Sequence, residues 1–318
     1  MRFRPLSTVS LATALAVLIG GLTWSQSAPA QNLKKVRAAY VPAVTWLPVR
    51  VAKDKGFFEK NGLDVSLSLI QNLSLLPGTL GKQFDFAAST GPDLLKAVAG
   101  GLDVAAVAGQ VYETKDNQTT QLVVMADSPI KSVADLKGKV IATPSIGAII
   151  HVSVLHWLKT SGVDPNSVRA VEVPFPNMAD QLRAGRIDAA EMIDPFARQM
   201  MASGGRTLGD PVLSVGDDVL FPFWIADRSW AEKNQDILKA WIISLEQALD
   251  FIKSNPAEAR AILADYTKLP PPVVEKIPFP DYRFRLKRAD LDVWVKVLQD
   301  LGQLPGDISN KKLVVETQ

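Results

Sequence analysis

Short apolar segments with strand character alternate with amphipathic helical segments along most of this chain. The apolar period is near two in the strand segments and near 3.6 in the helical segments. The pattern predicts strands at 36–40, 64–70, 84–88, 104–108, 122–125, 139–142, 168–173 and 187–192, and helices at 46–55, 92–99, 148–160, 177–184 and 195–202. From residue 229 onward it is almost wholly helical, with helices at 234–254, 257–266 and 287–301. This alternation predicts an α/β fold of parallel sheets covered by helices.

Two segments interrupt the alternation, at 113–120 and 214–226. Both are candidate connections between two lobes. They predict a first lobe made of residues 31–118 and 223–318, the second part mostly helical, and a second lobe at 119–222. Ligands of open α/β sheets bind beyond the carboxyl ends of the strands, so we expect a ligand cleft between the lobes and site residues just after each strand.

The first thirty residues have the three parts of a cleavable export signal: Arg2 and Arg4, an apolar run at 9–22, and the small residues Ala28 and Ala30 around Pro29. The run is too short for a spanning helix, which needs roughly 20 residues. The chain also has no cysteine, so it can carry neither a lipid on an N-terminal cysteine nor a disulfide. We therefore expect a soluble protein, most simply in a bacterial periplasm, with no stable membrane insertion.

Charge argues against a nucleic-acid partner. Removal of residues 1–30 takes away Arg2 and Arg4 and no acidic residue, which leaves 33 of the 35 basic residues against 33 acidic ones. A nucleic-acid-binding protein needs a basic face, and a formally neutral chain does not predict one.

Two turns that follow predicted strands are candidate binding elements. Ser145 and Gly147 come after the strand at 139–142, where glycine lets the backbone approach a ligand and a helix start favours an anion. Alternatively, the turn is an ordinary connection in which Ser145 caps the helix. Ser89 and Thr90 follow the strand at 84–88, and they could cap the next helix or donate hydrogen bonds to a ligand.

Further candidates are aromatic or acidic. Trp46 stands in the loop after the first strand, as core packing or as a pocket wall. Asp194 precedes Pro195, where it is a good helix cap or a site residue, and Phe196 follows. Phe221 and Phe223 stand two apart in the second connection, so they share one side of an extended strand and could line the cleft.

The sequence shows no catalytic or metal-binding pattern. His151 and His156, the only histidines, are five apart on one predicted helix, about 140° around it, so the helix alone cannot direct both to one metal. No nucleophile elbow, P-loop or zinc-protease spacing is present. We predict no catalytic residue, no metal and no cofactor.

Several stretches, in this order, are similar to those of a known family. They are Trp46–Val65, Gly81–Phe86 with Ala99–Val104, Asp135–Lys139, Ala184–Ala189, and Asp194-Pro195-Phe196. Together they resemble the bacterial substrate-binding proteins of ABC importers for sulfonates, nitrate, taurine and thiamine-precursor pyrimidines, over about residues 36–255.

The resemblance implies a type II periplasmic binding protein fold, in which two α/β lobes close on a small molecule. It also implies two partners, a membrane permease and its cytoplasmic ATPase, and a binding protein that acts as a monomer. Carried over by position, the cleft residues would be Trp46, Ser89, Thr90, Gly147, His151 and Asp194.

One departure from the family bears on the ligand. Sulfonate-type members commonly carry hydroxyl groups between the glycine and the histidine of the second-lobe turn, whereas this chain has Ala148, Ile149 and Ile150. Together with the aromatic candidates, these side chains indicate a larger, partly apolar ligand. We expect a small organic anion, a sulfonate or an aromatic or aliphatic carboxylate. The alternatives are a thiamine-precursor pyrimidine or nitrate.

Two other classes of function compete. Pyrimidine synthases share this fold but use a cysteine-rich iron site, which a chain without cysteine cannot build. Menaquinone-pathway enzymes share it too but act inside the cell, which the export signal disfavours. A transcription-factor effector domain would need a helix-turn-helix segment, and residues 1–35 read as signal and linker. We therefore expect a binding protein that is not an enzyme.

Overall fold

The computed structural model describes residues 32–70, 73–304, 308 and 311–317. The predicted export signal at 1–30 lies outside these residues. Their strands are β1 (Lys34–Tyr40), β2 (Leu63–Leu69), β3 (Phe86–Thr90), β4 (Val104–Gly109), β5 (Val111–Thr114), β6 (Thr120–Met125), β7 (Val140–Thr143), β8 (Arg169–Glu172), β9 (Ala189–Ile193), β10 (Gly205–Gly209), β11 (Asp218–Leu220), β12 (Pro222–Asp227) and β13 (Asp281–Tyr282).

The α-helices largely follow the predicted positions. They are α1 (Leu47–Asp54), α2 (Phe57–Lys60), α3 (Gly91–Ala99), α4 (Ile149–Thr160), α5 (Phe175–Arg183), α6 (Phe196–Ala202), α7 (Arg228–Lys233), α8 (Gln235–Ser254), α9 (Pro256–Thr267), α10 (Pro271–Val274) and α11 (Ala289–Asp300). Proline occupies the first turn of α1, α3 and α9, where an amide proton would have no partner within the helix. A short 3-10 segment at Leu73–Thr79 was not predicted.

The first sheet has the strand order β2–β1–β3–β12–β4. Strands β1, β2 and β3 are parallel, whereas β12 is antiparallel to both of its neighbours. Pro222 of β12 lies opposite Thr90 of β3. The chain therefore leaves this sheet after β4 and returns to it as β12, which lies between β3 and β4.

The second sheet has the order β10–β6–β9–β7–β8. Strand β7 is parallel to β8 and β9, and β6 is antiparallel to β9 and β10. The prediction of parallel sheets is therefore wrong for β6, and the antiparallel strands β10 and β12 were not predicted as strands. Central strands such as β3 and β9 are buried along their whole length. A fully buried strand has a continuous apolar sequence whether it is parallel or antiparallel to its neighbours, so its sequence does not indicate its direction.

The two connections between the sheets are themselves paired. Strand β5 lies between β11 and β13 in a small antiparallel sheet, with Leu220 opposite Tyr112 and Asp218 opposite Thr114. The segment predicted as a polar connection at 113–120 thus begins within a strand, and Glu113 is fully buried there. Pairing of the two crossing segments gives the hinge region a defined hydrogen-bonded register.

Apolar cores cover both sheets. In the second lobe, α4 packs Val154 and Leu158 on one sheet face, while α5 and α6 pack Met178 and Met200 on the other. In the first lobe, Trp241 of α8 stacks on Phe58 and Phe86 with ring centroids 4.8 and 4.4 Å apart. The helical segment after β12 therefore packs against the first sheet. Among the described residues, no helix combines the length and apolarity that a membrane crossing requires.

Candidate ligand-binding site

A cavity of about 60 Å³ lies where strand ends of both sheets meet. Residues that follow β1, β3 and β7, the end of β9, and the segment between β11 and β12 line it. This is the position at which open α/β sheets bind ligands. Its apolar walls include Val41, Leu73, Ile149, Ile150, Phe175 and Ile193.

Four of the ten predicted site residues line this cavity: Trp46, Thr90, Ser145 and Phe221. They come from four separate stretches of the sequence. The signal in the sequence was the position after a predicted strand for Trp46, Thr90 and Ser145, and the alternation in the second connection for Phe221. The fold brings all four into one space.

The wall formed by Trp46 is held by a chain of aromatic and amide contacts. Trp46 meets Trp224 edge-on at 4.7 Å between ring centroids, and Trp224 meets Trp241 at 5.0 Å. Gln110 receives a hydrogen bond of 2.8 Å from Trp224 Nε1 and donates one of 2.7 Å to the carbonyl oxygen of Thr45. Because these groups are buried and hydrogen-bonded, the wall is preorganised.

The polar side of the cavity is a hydroxyl cluster of Ser74, Thr90, Asp93 and Ser145. Thr90 Oγ1 donates to Asp93 Oδ2 over 2.6 Å, and Ser74 Oγ donates to Asp93 Oδ1 over 2.8 Å. Ser74 Oγ also lies 3.1 Å from Ser145 Oγ. Since Ser74 precedes the first sheet's β3 and Ser145 follows the second sheet's β7, this hydrogen bond joins the two lobes across the cavity.

Asp93 is the only ionisable side chain among the described residues that line the cavity. Burial raises its pKa, while the hydroxyl groups of Thr90 and Ser74 and the positive charge of Lys96 act in the opposite direction. The carboxyl group therefore takes up a proton more readily than an exposed aspartate. Neither Asp93 nor Ser74 was predicted, although Asp93 stands three residues after Thr90 at the predicted helix start.

The turn before α4 is held by contacts that lie outside the cavity. Gly147 has a φ of +82°, and its amide donates to His151 Nδ1 over 3.0 Å. Lys96 Nζ donates to the Gly147 carbonyl oxygen over 2.8 Å. Burial, with a contribution from the charge of Lys96, lowers the pKa of His151 to about 4. His151 is therefore a neutral acceptor that positions the turn, and neither it nor Gly147 lines the cavity.

Three further predicted residues lie behind the cavity walls. Ser89 is fully buried, and its hydroxyl lies 3.5 Å from the carbonyl oxygen of Thr90. Asp194 is buried and accepts a hydrogen bond of 2.6 Å from Arg198 Nε. Phe223 is fully buried inside β12 and, unlike Phe221, does not reach the cavity.

Phe196 packs against Phe175, a residue of the cavity wall. Its ring stacks on Phe175 at 5.9 Å with an angle of 12°, and Phe175 lines the cavity. The alternative interpretation as a helix cap is wrong for Ser145 and Asp194, because the cap positions of α4 and α6 are Ala148 and Pro195. Thr90 does occupy the cap position of α3, without a capping hydrogen bond to its side chain.

Besides Asp194, three carboxyl groups of the described residues are buried outside the cavity. Glu191 of β9 is fully buried, and burial raises its pKa to about 8. Glu113 and Asp210 meet at Thr120, whose Oγ1 lies 3.3 Å from Glu113 Oε1 and 2.5 Å from Asp210 Oδ1. Burial and the neighbouring charge raise the pKa of Glu113. Within the described ranges, no group of three or more acidic or histidine side chains could hold a metal ion.

Comparison with curated proteins finds relatives among binding proteins. A Brachyspira hyodysenteriae protein described as an ABC transporter periplasmic binding protein is 33% identical over 139 residues, which cover 42% of this chain and 38% of that protein. An Escherichia coli protein described as aliphatic sulfonates-binding is 28% identical over 202 residues, covering 58% and 62%. The chain thus spans less than two thirds of the length of both relatives.

Comparison with solved structures and with family models identifies the fold and the family. The alkanesulfonate-binding protein of Xanthomonas axonopodis pv. citri, bound to MOPS, superposes with a TM-score of 0.76 at 22% identity, over 89% of this chain and 98% of that one. The two sheets therefore form the two-lobe α/β fold of periplasmic binding proteins, as predicted. The NMT1/THI5-like family model matches residues 44–259. The chain belongs to the NMT1/THI5-like family.

Proposed function

We propose that this chain is the periplasmic solute-binding component of an ABC importer, which captures a small molecule between its lobes. The observation that carries the proposal is the cavity at the strand ends, bridged between the lobes by the hydrogen bond between Ser74 and Ser145. Family membership and the binding-protein fold support it.

Lobe boundaries and export are part of the proposal. Strands β1–β4 and β12 in one sheet, and β6–β10 in the other, support lobes at 31–118 with 223–318 and at 119–222. Residues 1–30 would direct the chain out of the cytoplasm. The partners are a membrane permease, which would receive the solute from a closed monomer, and its cytoplasmic ATPase.

The polar groups of the cavity fit capture rather than catalysis. The described residues that line it offer hydroxyl groups and one carboxyl, Asp93, which accepts hydrogen bonds from Ser74 and Thr90. No histidine, lysine or cysteine is among these lining residues. Ser145 and the first turn of α4, whose amide protons lack partners within the helix, can receive an oxyanion. The apolar walls would take its carbon skeleton, so the proposed ligand is a small organic sulfonate or carboxylate.

Asp93 favours a second candidate ligand. A carboxylate inside the cavity repels an anion unless it takes up a proton, whereas it accepts a hydrogen bond from an amino group. A neutral or cationic aminopyrimidine is therefore the alternative, and nitrate fits the apolar walls least.

A thermal-shift screen with the isosteric variant Asp93→Asn separates these candidates. The screen contains alkanesulfonates, aromatic carboxylates, nitrate and aminopyrimidines, and a ligand specific for the folded protein raises the melting temperature. If the ligand is an anion, Asp93→Asn binds it equally or more tightly. If the ligand is an amine donor, affinity falls about tenfold or more, as expected for a lost charge-assisted hydrogen bond.

The exposed Asp250→Asn variant is the matched control and should bind as the original chain does. The organic-anion proposal fails if only amine donors bind. Solute capture of both kinds fails if no compound in the screen shifts the melting temperature.

A further inference from the structure

An open groove adjoins the cavity on its solvent side. Its volume is about 410 Å³. One wall comes from Leu75 and Pro77 in the 3-10 segment before β3, and another from α3 and Leu102 just after it. The opposite lobe contributes Ile146 and Gly147 from the turn before α4. The groove therefore exists only where the two lobes meet.

The groove is unusually apolar for an exposed surface. Leu75, Leu102 and Ile146 are 68%, 43% and 53% exposed. Only one other large apolar side chain in the described part of the chain is comparably exposed, Leu69 at 47%. Three such side chains gathered in one depression indicate a binding surface, because water contact with each of them is unfavourable.

The groove and the cavity share two lining residues, Ser74 and Asp93. The hydroxyl cluster therefore stands between the two spaces and presents polar groups to both. The cavity alone is much smaller than the roughly 300–1,000 Å³ of typical sites for organic ligands. The groove supplies the volume that a larger ligand would need beyond the hydroxyl cluster.

We propose that this groove is a second subsite, which holds an unbranched alkyl or aryl-alkyl tail of the ligand while the polar head lies at the hydroxyl cluster. The inference rests on the proposed solute-binding function and specifies its ligand as an elongated amphiphile. Both lobes contribute aliphatic side chains to the groove walls. Lys96 also lines the groove, and its ammonium group donates hydrogen bonds to Gly147 and Gln303. A tail in this position contacts both lobes and favours their closed arrangement.

The test uses probes that share a tail and differ in head group: octane-1-sulfonate, octanoate and octan-1-ol, with the two-carbon counterpart of each. Binding is followed by NMR on the full chain, labelled at its leucine and isoleucine methyl groups, below the micelle concentration of each probe. We expect the eight-carbon probes, whatever the head group, to shift the methyl signals of Leu75, Leu102 and Ile146 with a saturating dependence. Two-carbon probes should leave these signals in place.

Variants of the groove give the second measurement. Leu75→Ser and Ile146→Ser should each weaken octyl-probe binding about threefold to tenfold and leave two-carbon binding unchanged, because burial of one methylene changes affinity up to about fourfold. Leu69→Ser, an equally drastic change of an exposed leucine outside the groove, should alter neither.

The outcomes separate the two proposals. If the octyl probes leave the three methyl signals unchanged, or if the groove variants bind them as the original chain does, the tail subsite is refuted. If octan-1-ol occupies the groove but no sulfonate or carboxylate of either length binds more tightly than the alcohol, the subsite stands and the organic-anion ligand is refuted.

Discussion

Lys96 of α3 donates a hydrogen bond of 2.8 Å from Nζ to the carbonyl oxygen of Gly147, and this contact joins the first lobe to the second. It lies beside the hydrogen bond between Ser74 and Ser145, so two polar contacts bridge the lobes at the same edge of the cavity. Burial lowers the pKa of Lys96, and the nearby Asp93 carboxyl raises it. The bridge is thus an interaction of a largely buried amine with a backbone carbonyl.

Removal of this bridge should favour an open arrangement of the lobes. Lys96→Met retains the apolar stem and loses the hydrogen-bond donor. The closed form then loses the stabilisation of a charged hydrogen bond, about 1.5–3 kcal/mol. We expect the radius of gyration measured by X-ray scattering to increase and ligand affinity to fall about tenfold. The control Lys60→Met changes an exposed lysine in α2. An unchanged scattering profile for Lys96→Met would show that other contacts hold the lobes.

Gly147 should tolerate no side chain without loss of the same bridge. Its φ of +82° costs an alanine about 1–2 kcal/mol, and the new Cβ would lie 2.9 Å from Lys96 Nζ. Gly185→Ala is the matched control, since φ is +65° there and nothing lies within 4 Å of the new Cβ. Calorimetry should show similar losses of stability for both variants but weaker ligand binding only for Gly147→Ala. Equal ligand affinities would contradict a role of this turn in binding.

Glu191 should make stability depend on pH. Because burial raises its pKa to about 8 in the folded chain, the folded state keeps a proton that the unfolded state releases near pH 4–5. Its contribution is therefore fully present at low pH and is lost as the pH rises toward 8, by roughly 5 kcal/mol at most. Urea unfolding of Glu191→Gln between pH 5 and 8 should show a flatter profile. The exposed Glu275→Gln variant should keep the original slope, and a parallel slope for Glu191→Gln would refute the assignment.

The sequence predicted most of the elements because their signals are local. Periodicity placed α3, α4 and α8 within one or two residues. The position after predicted strands identified Trp46, Thr90 and Ser145 as candidates, and the alternation in the second connection identified Phe221. All four line the cavity. These features depend on short windows of the chain, which a single sequence contains in full.

Other parts of the site have no local signal. Ser74 lies in a 3-10 segment without apolar periodicity, and Asp93 reads as an ordinary residue of the first helical turn. Only the approach of α3 to the second-lobe turn makes Asp93 and Lys96 neighbours of the cavity and of Gly147. Likewise, Phe221 and Phe223 stand in equivalent positions of the alternation, but only Phe221 reaches the cavity.

The sequence by itself determined the α/β class, the order of most elements and the family, because apolar period, turn residues and motif order are written along the chain. The tertiary structure decided the direction of β6, β10 and β12 and the pairing of the two segments that connect the sheets. It also decided which residues line the cavity. The physical reason is that these properties arise from contacts between distant segments. A buried strand has the same continuous apolar sequence whether it is parallel or antiparallel to its neighbours. The pKa of a carboxyl group shifts only when tertiary packing has excluded water from it.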